Sequence, residues 1–419
     1  MDSPTGVVSS PVADPSGAAL RDREQAEGYV AVVCFKHGPP SLHGVELEWT
    51  IHHGNDPARS LDADLLSIAL GPYAPPTINP HHTQQHLPEG SLVTVEPGGQ
   101  VEISTPPTRS AADLITVASA DAATLADLLD QHGLVLGDSG TDPYRQPTRL
   151  LQVPRYVAMQ AAFDHIGPHG SRMMCSTASI QVCLDAGEAD QAVMRWRAAH
   201  ALGPTLVALF ANSPNLAGHS TGWASTRLRS TLGTCPPFTL PPEPSDDPAA
   251  QWARMAMEAP VICVRGDGRS WAAPPGLTFS GWIAEPARVG RRPTYQDLDY
   301  HLSTLFPPVR PKGYLEIRYL DAQAGSGWVT PFALLAALMA RPSTIDQALS
   351  LTEASAGRWF EAARDGLADP VLGAAAPTIV QLGADSLSHL DLNAAQHKQV
   401  LDDLALRVEA IPTNQRRSA

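Results

Sequence analysis

Gly44-Val45-Glu46-Leu47-Glu48-Trp49-Thr50, GVELEWT, reads as a strand that hides apolar groups on one side and carries two carboxylates on the other. Successive strand side chains point to opposite faces, so Glu46 and Glu48 share one face while Val45, Leu47 and Trp49 share the other. Two like charges this close resist joint ionisation unless a cation neutralises them. Oxygen-only carboxylate ligands suit magnesium, an ion that usually also coordinates substrate phosphates. A solvated strand edge with scattered glutamates would be spelled the same way, so the reading turns on whether the pattern recurs.

It recurs twice. In SLVTVEPGGQVEIS, two alternating runs flank Pro97-Gly98-Gly99, a turn signal of the kind a tight hairpin needs. Glu96 closes the first run and Glu102 sits in the second. In KGYLEIRYLDA, Glu316 and Arg318 again stand at i and i+2, among Tyr, Leu and Ile. Charge at interior sheet positions is costly unless paired or metal-bound. A face lined by Glu46, Glu48, Glu96, Glu102 and Glu316, with Arg318 among them, has the parts of a metal–phosphate site. There Mg²⁺ bridges phosphate oxygens and a guanidinium stabilises the charge that moves in transfer.

The 419 residues suffice for one large domain or two smaller ones. A hydrophobic content of 43% and a charged content of 17% are those of a folded globular chain. The net charge of −14, with lysine only at Lys36, Lys312 and Lys398 and no basic stripe, argues against a nucleic-acid partner. Five widely spaced cysteines form no CxxC, which suits reduced thiols in a cytoplasmic protein. No apolar run approaches the length of a membrane helix. The first twenty residues lack a basic segment followed by an apolar one, and read as a disordered tail rather than a signal peptide.

Along the chain, helices are expected at 20–36, at 110–131 with Ser110 as N-cap, at 155–165, at 188–211 with a break or kink at Pro204, at about 294–305 and repeatedly from 331 to 411. Strands are expected at 43–51, 91–96, 100–104 and around Glu316, together with a long one at 172–184. The Pro-rich, acidic stretch 233–250 reads as a surface loop, and 266–294, rich in Gly and Pro, as a flexible excursion near a mouth or lid. Without regular β–α alternation, the order of elements predicts an antiparallel sheet in an α+β fold.

Several other motifs carry less. LGADSLSHLDL around Ser386 mimics a phosphopantetheine attachment motif, but too little chain follows it for a carrier domain; a helix start with an incidental serine suffices. His52-His53 and His81-His82 lack an HExxH partner pattern and read as surface or loop histidines. No GxxxxGK[ST] or GxGxxG is present, so any nucleotide binds by another route, and no GxSxG nucleophile elbow stands out.

With these strands in order, the chain resembles a glutamate–cysteine ligase of the plant and actinobacterial type over most of residues 40–335. GVELEWT, EPGGQVEIS, MMCSTASIQVCLD, ALFANSPNLAG and HLSTLFPPVRPKGYLEIRYLDA carry the likeness by their order and spacing. Within that family it is most similar to the actinobacterial branch that supplies γ-glutamylcysteine for ergothioneine synthesis. The resemblance implies a glutamine-synthetase-like catalytic domain over 21–412, a curved antiparallel sheet forming a funnel with helices outside, and a short tail at 413–419. It implies that ATP phosphorylates the γ-carboxylate of glutamate and that the amine of cysteine attacks the acyl phosphate. Glu46, Glu48, Glu96, Glu102 and Glu316 would hold two or more Mg²⁺ ions, with Gln181 at the same metal and substrate site. Glu316 and Arg318 would be the catalytic pair, with Arg318 on the transferring phosphoryl group and Lys312 on ATP phosphate. Arg227 would bind the glutamate carboxylate, with Asn212 and Ser213 lining the substrate site. The partners implied are small molecules, and the implied state is a monomer.

Departures accompany the likeness. After Arg227 many relatives carry a tryptophan and an Asp-Pro-x-Arg-like run, where this chain has LRSTLGTCPPFTL. Plant enzymes carry an arginine at the position of Ser176. Two other functions stay open on the residues alone: the same acyl-phosphate ligation with another amine, and a glutamate- or nucleotide-binding protein without turnover.

Overall fold

A computed structural model describes residues 17–411 except 82, 267 and 269; most of the first expected tail, the whole of the second and His82 therefore lie outside the described residues. The strands are β1 (His43–Trp49), β2 (Ile51–His53), β3 (Leu92–Val95), β4 (Val101–Ser104), β5 (Leu134–Leu136), β6 (Ser179–Leu184), β7 (Asn215–Leu216), β8 (His219–Ser220), β9 (Val309–Pro311) and β10 (Leu315–Asp321). Six form one open sheet in the order β3-β4-β1-β6-β10-β9, with every pairing antiparallel. The α+β expectation with an antiparallel sheet holds.

The alternation in β1 sorts the molecule into layers. Val45, Leu47 and Trp49 are buried in the main core with Ile103, Val182, Ile317 and Leu320. Helices Ala111–Asp130, Gly203–Phe210 and Val329–Leu338 contribute to that core. A second, smaller core joins Met159, Phe163, Met174, Cys235 and Ile262. The polar face of the sheet lies between the two.

Two local features fix that face. The β3–β4 turn closes with Gly99 at φ +90°, a backbone region that favours glycine. A Cβ on Gly98 would stand 2.2 Å from the Cys175 carbonyl oxygen, so the turn that carries Glu96 packs directly on helix His169–Ser176. In β10 the register slips between Ile317 and Leu320, so Arg318 and Tyr319 together face Gln181. Such a bulge re-aims side chains: strict alternation would send Asp321 into the core, whereas here it turns to the polar side.

Most expected elements occur, including the Ser110 cap, whose side chain accepts from Asp113 N. The strand expected at 172–184 is instead helix His169–Ser176 followed by β6; Thr177 Oγ1 donates to Met173 O and closes the helix. The helix expected at 188–211 is two, Ala189–Ala201 and Gly203–Phe210, with Pro204 in the first turn of the second, where proline is tolerated. His52 and His53 are buried in β2, against the surface expectation: His52 Nε2 bonds Thr50 Oγ1 and His53 Nε2 bonds Ser60 O. Ser386 ends helix Pro370–Ser386 rather than starting one. Within 266–294 lies helix Phe279–Ala284, with Phe279 and Trp282 in the core, so that part of the stretch is packed structure. Among the described residues no single helix is long and apolar enough to cross a membrane.

Candidate active site

On the polar face of the sheet lies a cavity of about 270 Å³, closed from the other side by helices Pro154–Asp164, His169–Ser176 and Thr226–Leu232. The cross-strand register builds its floor. Glu46 stands opposite Gln181 and Glu48 opposite Glu102, so β1, β4 and β6 bring three carboxylates and an amide together. Glu96 enters from the β3–β4 turn. Glu102 accepts from Thr94 Oγ1 at 2.9 Å and from Gln181 Nε2 at 3.0 Å, and Glu48 accepts from Ser179 N and Oγ at 3.1 and 3.0 Å.

Glu316 sits in a different setting. It is 0% exposed, and three cations enclose it: Arg310 Nε and Arg318 Nη1 at 2.7 Å on Oε2, and Lys312 Nζ at 2.8 Å on Oε1. Burial alone would push its carboxyl up, but Arg310, Arg318 and Lys312 together hold it well below the usual carboxylate range. The same contact raises Lys312 and Arg318 despite their own burial. Arg318 also donates to Gln181 Oε1, which ties the cation cluster to the carboxylate floor.

The four floor carboxylates have no such enclosure. Burial, reinforced by Glu96, pushes Glu48 up to about 8. Burial and the fields of Glu46, Glu96 and Glu48 push Glu102 well above its ordinary value, and burial likewise raises Glu46 and Glu96. Local negative charge exceeds what the neighbouring cations offset, so this part of the site favours either protons or metal cations.

Arg227, 4% exposed, stands at the far end of the cavity. Its Nε donates to Asp321 Oδ1 at 2.8 Å, while Nη2 is buried with no hydrogen-bond partner. Asp321 also accepts from Ser213 Oγ and Asn212 N on Oδ2 and from Ser225 Oγ on Oδ1. Ser213 Oγ in turn accepts from Arg227 N. A buried donor left open costs free energy unless something binds there, so the fork of Arg227 is held ready for an anion.

Of the residues marked in the sequence, Glu46, Glu48, Glu96, Glu102, Gln181, Arg227, Lys312 and Arg318 line this one cavity. Glu316 lies beneath it, reached only through its three cations. Asn212 and Ser213 are not on the wall: Asn212 Nδ2 is taken by the Asp138 and Ala322 carbonyls, and Ser213 braces Arg227 from behind. No described residue of 266–294 lines the cavity. Sequence reading missed Arg310, Arg155 and Ser179. The first stands directly opposite Glu316 across β9–β10, a position visible only once VRPKGYLEIR is read as a hairpin. Arg155 reaches the wall from helix Pro154–Asp164, held by Ser303 Oγ and O at 3.0 Å, and no local spelling announces it.

Among the described residues no three acidic or His/Cys side chains converge as a ready metal cage. Magnesium usually takes one or two protein carboxylates and completes its shell with water and substrate phosphates. The unneutralised floor carboxylates are suitable donors; Glu316, saturated by cations, is not free to ligate in this state.

In this pocket five cationic side chains meet four unneutralised carboxylates, a lining of both charge signs within one cavity. The family model of glutamate-cysteine ligase family 2 (GCS2) matches residues 42–411, and the chain belongs to that family. It is similar to the glutamate–cysteine ligase EgtA of Mycolicibacterium smegmatis, at 38% identity over 421 residues and 96% of each chain. The Mycobacterium tuberculosis protein of the same name is 39% identical over 381 residues, 89% of this chain and 85% of that one. The chloroplastic glutamate–cysteine ligase of Brassica juncea is 30% identical over 68% of this chain and 56% of that one. A solved glutamate–cysteine ligase from Francisella tularensis, in complex with AMP, aligns over 91% of this chain and 84% of that one with a TM-score of 0.49 at 11% identity.

Proposed function

We propose that this protein is an ATP-dependent ligase that joins the γ-carboxylate of L-glutamate to the amine of L-cysteine through γ-glutamyl phosphate, with the product feeding ergothioneine synthesis. The observation that carries the reading is the pairing, in one cavity, of raised, cation-poor glutamates with the buried, open guanidinium of Arg227. Membership of the family and the likeness to EgtA proteins along nearly the whole chain supply the substrates.

The reaction brings a carboxylate against a triphosphate, and anion repulsion is the first barrier. Arg227 takes the α-carboxylate of glutamate on its free Nη2, with Asp321, Ser213 and Asn212 keeping the guanidinium from turning away. Glu46, Glu48, Glu96 and Glu102, with Gln181, would hold magnesium, which when bound would screen the phosphates and the γ-carboxylate. Arg318 and Lys312 face the γ-phosphate and stabilise its equatorial charge in flight. Glu316 keeps these two and Arg310 from repelling one another. Transfer breaks the β–γ phosphoanhydride bond and forms the acyl phosphate. Attack by the cysteine nitrogen then expels inorganic phosphate, and the amine loses a proton. The protein acts as a monomer in the cytoplasm.

The deciding experiment is phosphate release from ATP and Mg²⁺ with glutamate, comparing cysteine, other amino acids and no amine, with mass detection of the product. A product equal to glutamate plus cysteine minus water, formed only when both are present, is the expected result. Turnover with another amine alone replaces the acceptor and leaves the chemistry. Absence of turnover with every amine removes the ligase reading.

A further inference from the structure

Four of the five cations that line the cavity are ion-paired with buried carboxylates: Arg310, Lys312 and Arg318 with Glu316, and Arg227 with Asp321. Arg155 is the fifth, and none of the ion pairs among the described residues includes it. What holds it is neutral. Nη1 donates to Ser303 Oγ and Nη2 to Ser303 O, both at 3.0 Å, and the guanidinium carbon lies 4.9 Å from the centroid of the Tyr300 ring. Ser303 is fixed in turn, its Oγ donating to Tyr300 O at 2.7 Å. Two of the five N–H donors of a guanidinium are thereby used, and the rest are left for a ligand. The charge also reaches the floor: burial raises the Glu96 carboxyl, and Arg318 and Arg155 oppose that rise.

Tyr300 stands near the end of helix Tyr295–Leu302 and does not itself line the cavity. Its hydroxyl is buried with no hydrogen-bond partner, so the ring rather than the oxygen makes the contact. A second guanidinium, that of Arg265, lies 4.7 Å from the same ring centroid, and Trp271 meets the ring edge-on at 6.0 Å. Both come from one turn, in which Val264 N donates to Trp271 O at 2.8 Å and Cys263 pairs with Ala272. The same turn touches Arg155 directly, with Cys263 Sγ donating to Arg155 O at 3.6 Å. We infer that Tyr300 is a positioning residue of the ligase: its ring holds the Arg155 guanidinium against the cavity without neutralising it, so that the whole charge meets an anionic substrate group. The role rests on the ligase reading of the cavity. A carboxylate at the place of Tyr300 would grip Arg155 more firmly but cancel its charge. An aromatic face attracts the cation through its quadrupole and leaves the net charge untouched.

The test runs on the full-length protein, with phosphate release followed for glutamate and for ATP in turn. Arg155→Met identifies which kcat/KM depends on that cation, and Tyr300→Leu should lower the same one by about tenfold or more. The double variant should be no worse than Arg155→Met alone, since the ring acts only through the arginine. Tyr300→Phe should stay within about twofold of wild type, because the deleted hydroxyl has no partner to lose. From there, phenylalanines carrying one, two and three ring fluorines, introduced at position 300 by nonsense suppression, keep the shape and weaken the π face step by step. The same kcat/KM should fall with each fluorine, by about fivefold across the series, at an unchanged melting temperature. That series decides the matter if Tyr300→Leu does not fold. A flat fluorine series, an unaffected Arg155→Met enzyme, or a Tyr300→Leu loss that adds to that of Arg155→Met overturns the role and leaves the ligase. A wild-type protein without turnover overturns the ligase reading, and this role with it.

Discussion

Glu316 and Glu48 are the same side chain, buried on the same sheet face and separated by a single strand, yet their acidities move in opposite directions. Around Glu316 the β9–β10 hairpin supplies Arg310, Lys312 and Arg318 within 2.8 Å, and the carboxyl is held far below its ordinary range. Around Glu48 the hydrogen-bond partner is Ser179, burial and the field of Glu96 outweigh the more distant Arg227 and Arg318, and the carboxyl rises to about 8. Burial is therefore not what distinguishes structural from ligand-binding charge here. What distinguishes them is whether the protein itself provides the counter-charge. The hairpin half of the pocket is electrostatically complete, whereas the β1–β4 half is balanced only when protons or a cation occupy it.

The largest effect should come from the group that bridges the halves. Arg318→Ala should lower turnover by about a thousandfold or more, read as phosphate release at saturating substrates; activity within tenfold of wild type would remove Arg318 from phosphoryl transfer. Glu316→Gln breaks the completed half by leaving three cations facing one another. Its expected cost is about 3–5 kcal/mol of stability, measured by urea unfolding, and a variant as stable as wild type would show that those cations find water instead.

The incomplete half gives a pH signature of definite sign. Glu48 has its folded pKa raised to about 8 from an ordinary value near 4.5. Its contribution to stability is thus fully present below about pH 4.5 and is lost as pH rises through 8. Mg²⁺ should remove most of that dependence, because it replaces the proton. Adding Mg²⁺ at pH 7 should accordingly release protons into a weakly buffered indicator solution, and chelation should reverse the release; no proton release would mean that the floor carboxylates are already ionised. Glu102→Gln should stabilise the metal-free protein by on the order of 1 kcal/mol while weakening Mg²⁺ binding, the opposite sign to Glu316→Gln in the same unfolding assay. The smallest effect belongs to Ser386→Ala at the end of its helix, outside both halves. Stability should stay within about 0.5 kcal/mol and turnover should be unchanged; a dead enzyme would reopen the carrier-like motif.

Much of the site was legible because strand alternation is a local property. GVELEWT placed Glu46 and Glu48 on one face without reference to any other segment, and the hairpin EPGGQVEIS did the same for Glu96 and Glu102. Segments in which apolar content and helical propensity disagree were misread. RMMCS looked like the start of a strand, but Met174 and Cys175 pack into the second core from a helix. The glycines and prolines of 266–294 hid Phe279 and Trp282, which anchor a short helix. Asn212 and Ser213, expected to line the substrate site, instead hold Asp321 and Arg227 from behind the cavity wall.

By itself the sequence determined which side chains share a strand face, where hairpins turn and hence that carboxylates and an arginine gather on one sheet, because those follow from a two-residue period and the conformations of glycine and proline. Only the tertiary structure decided which carboxylates are neutralised. That depends on cross-strand register, on the β10 bulge that turns Asp321 toward Arg227, and on Arg155 arriving from a distant helix. Electrostatic balance is set by distances between segments far apart in the chain, and no local pattern encodes such distances.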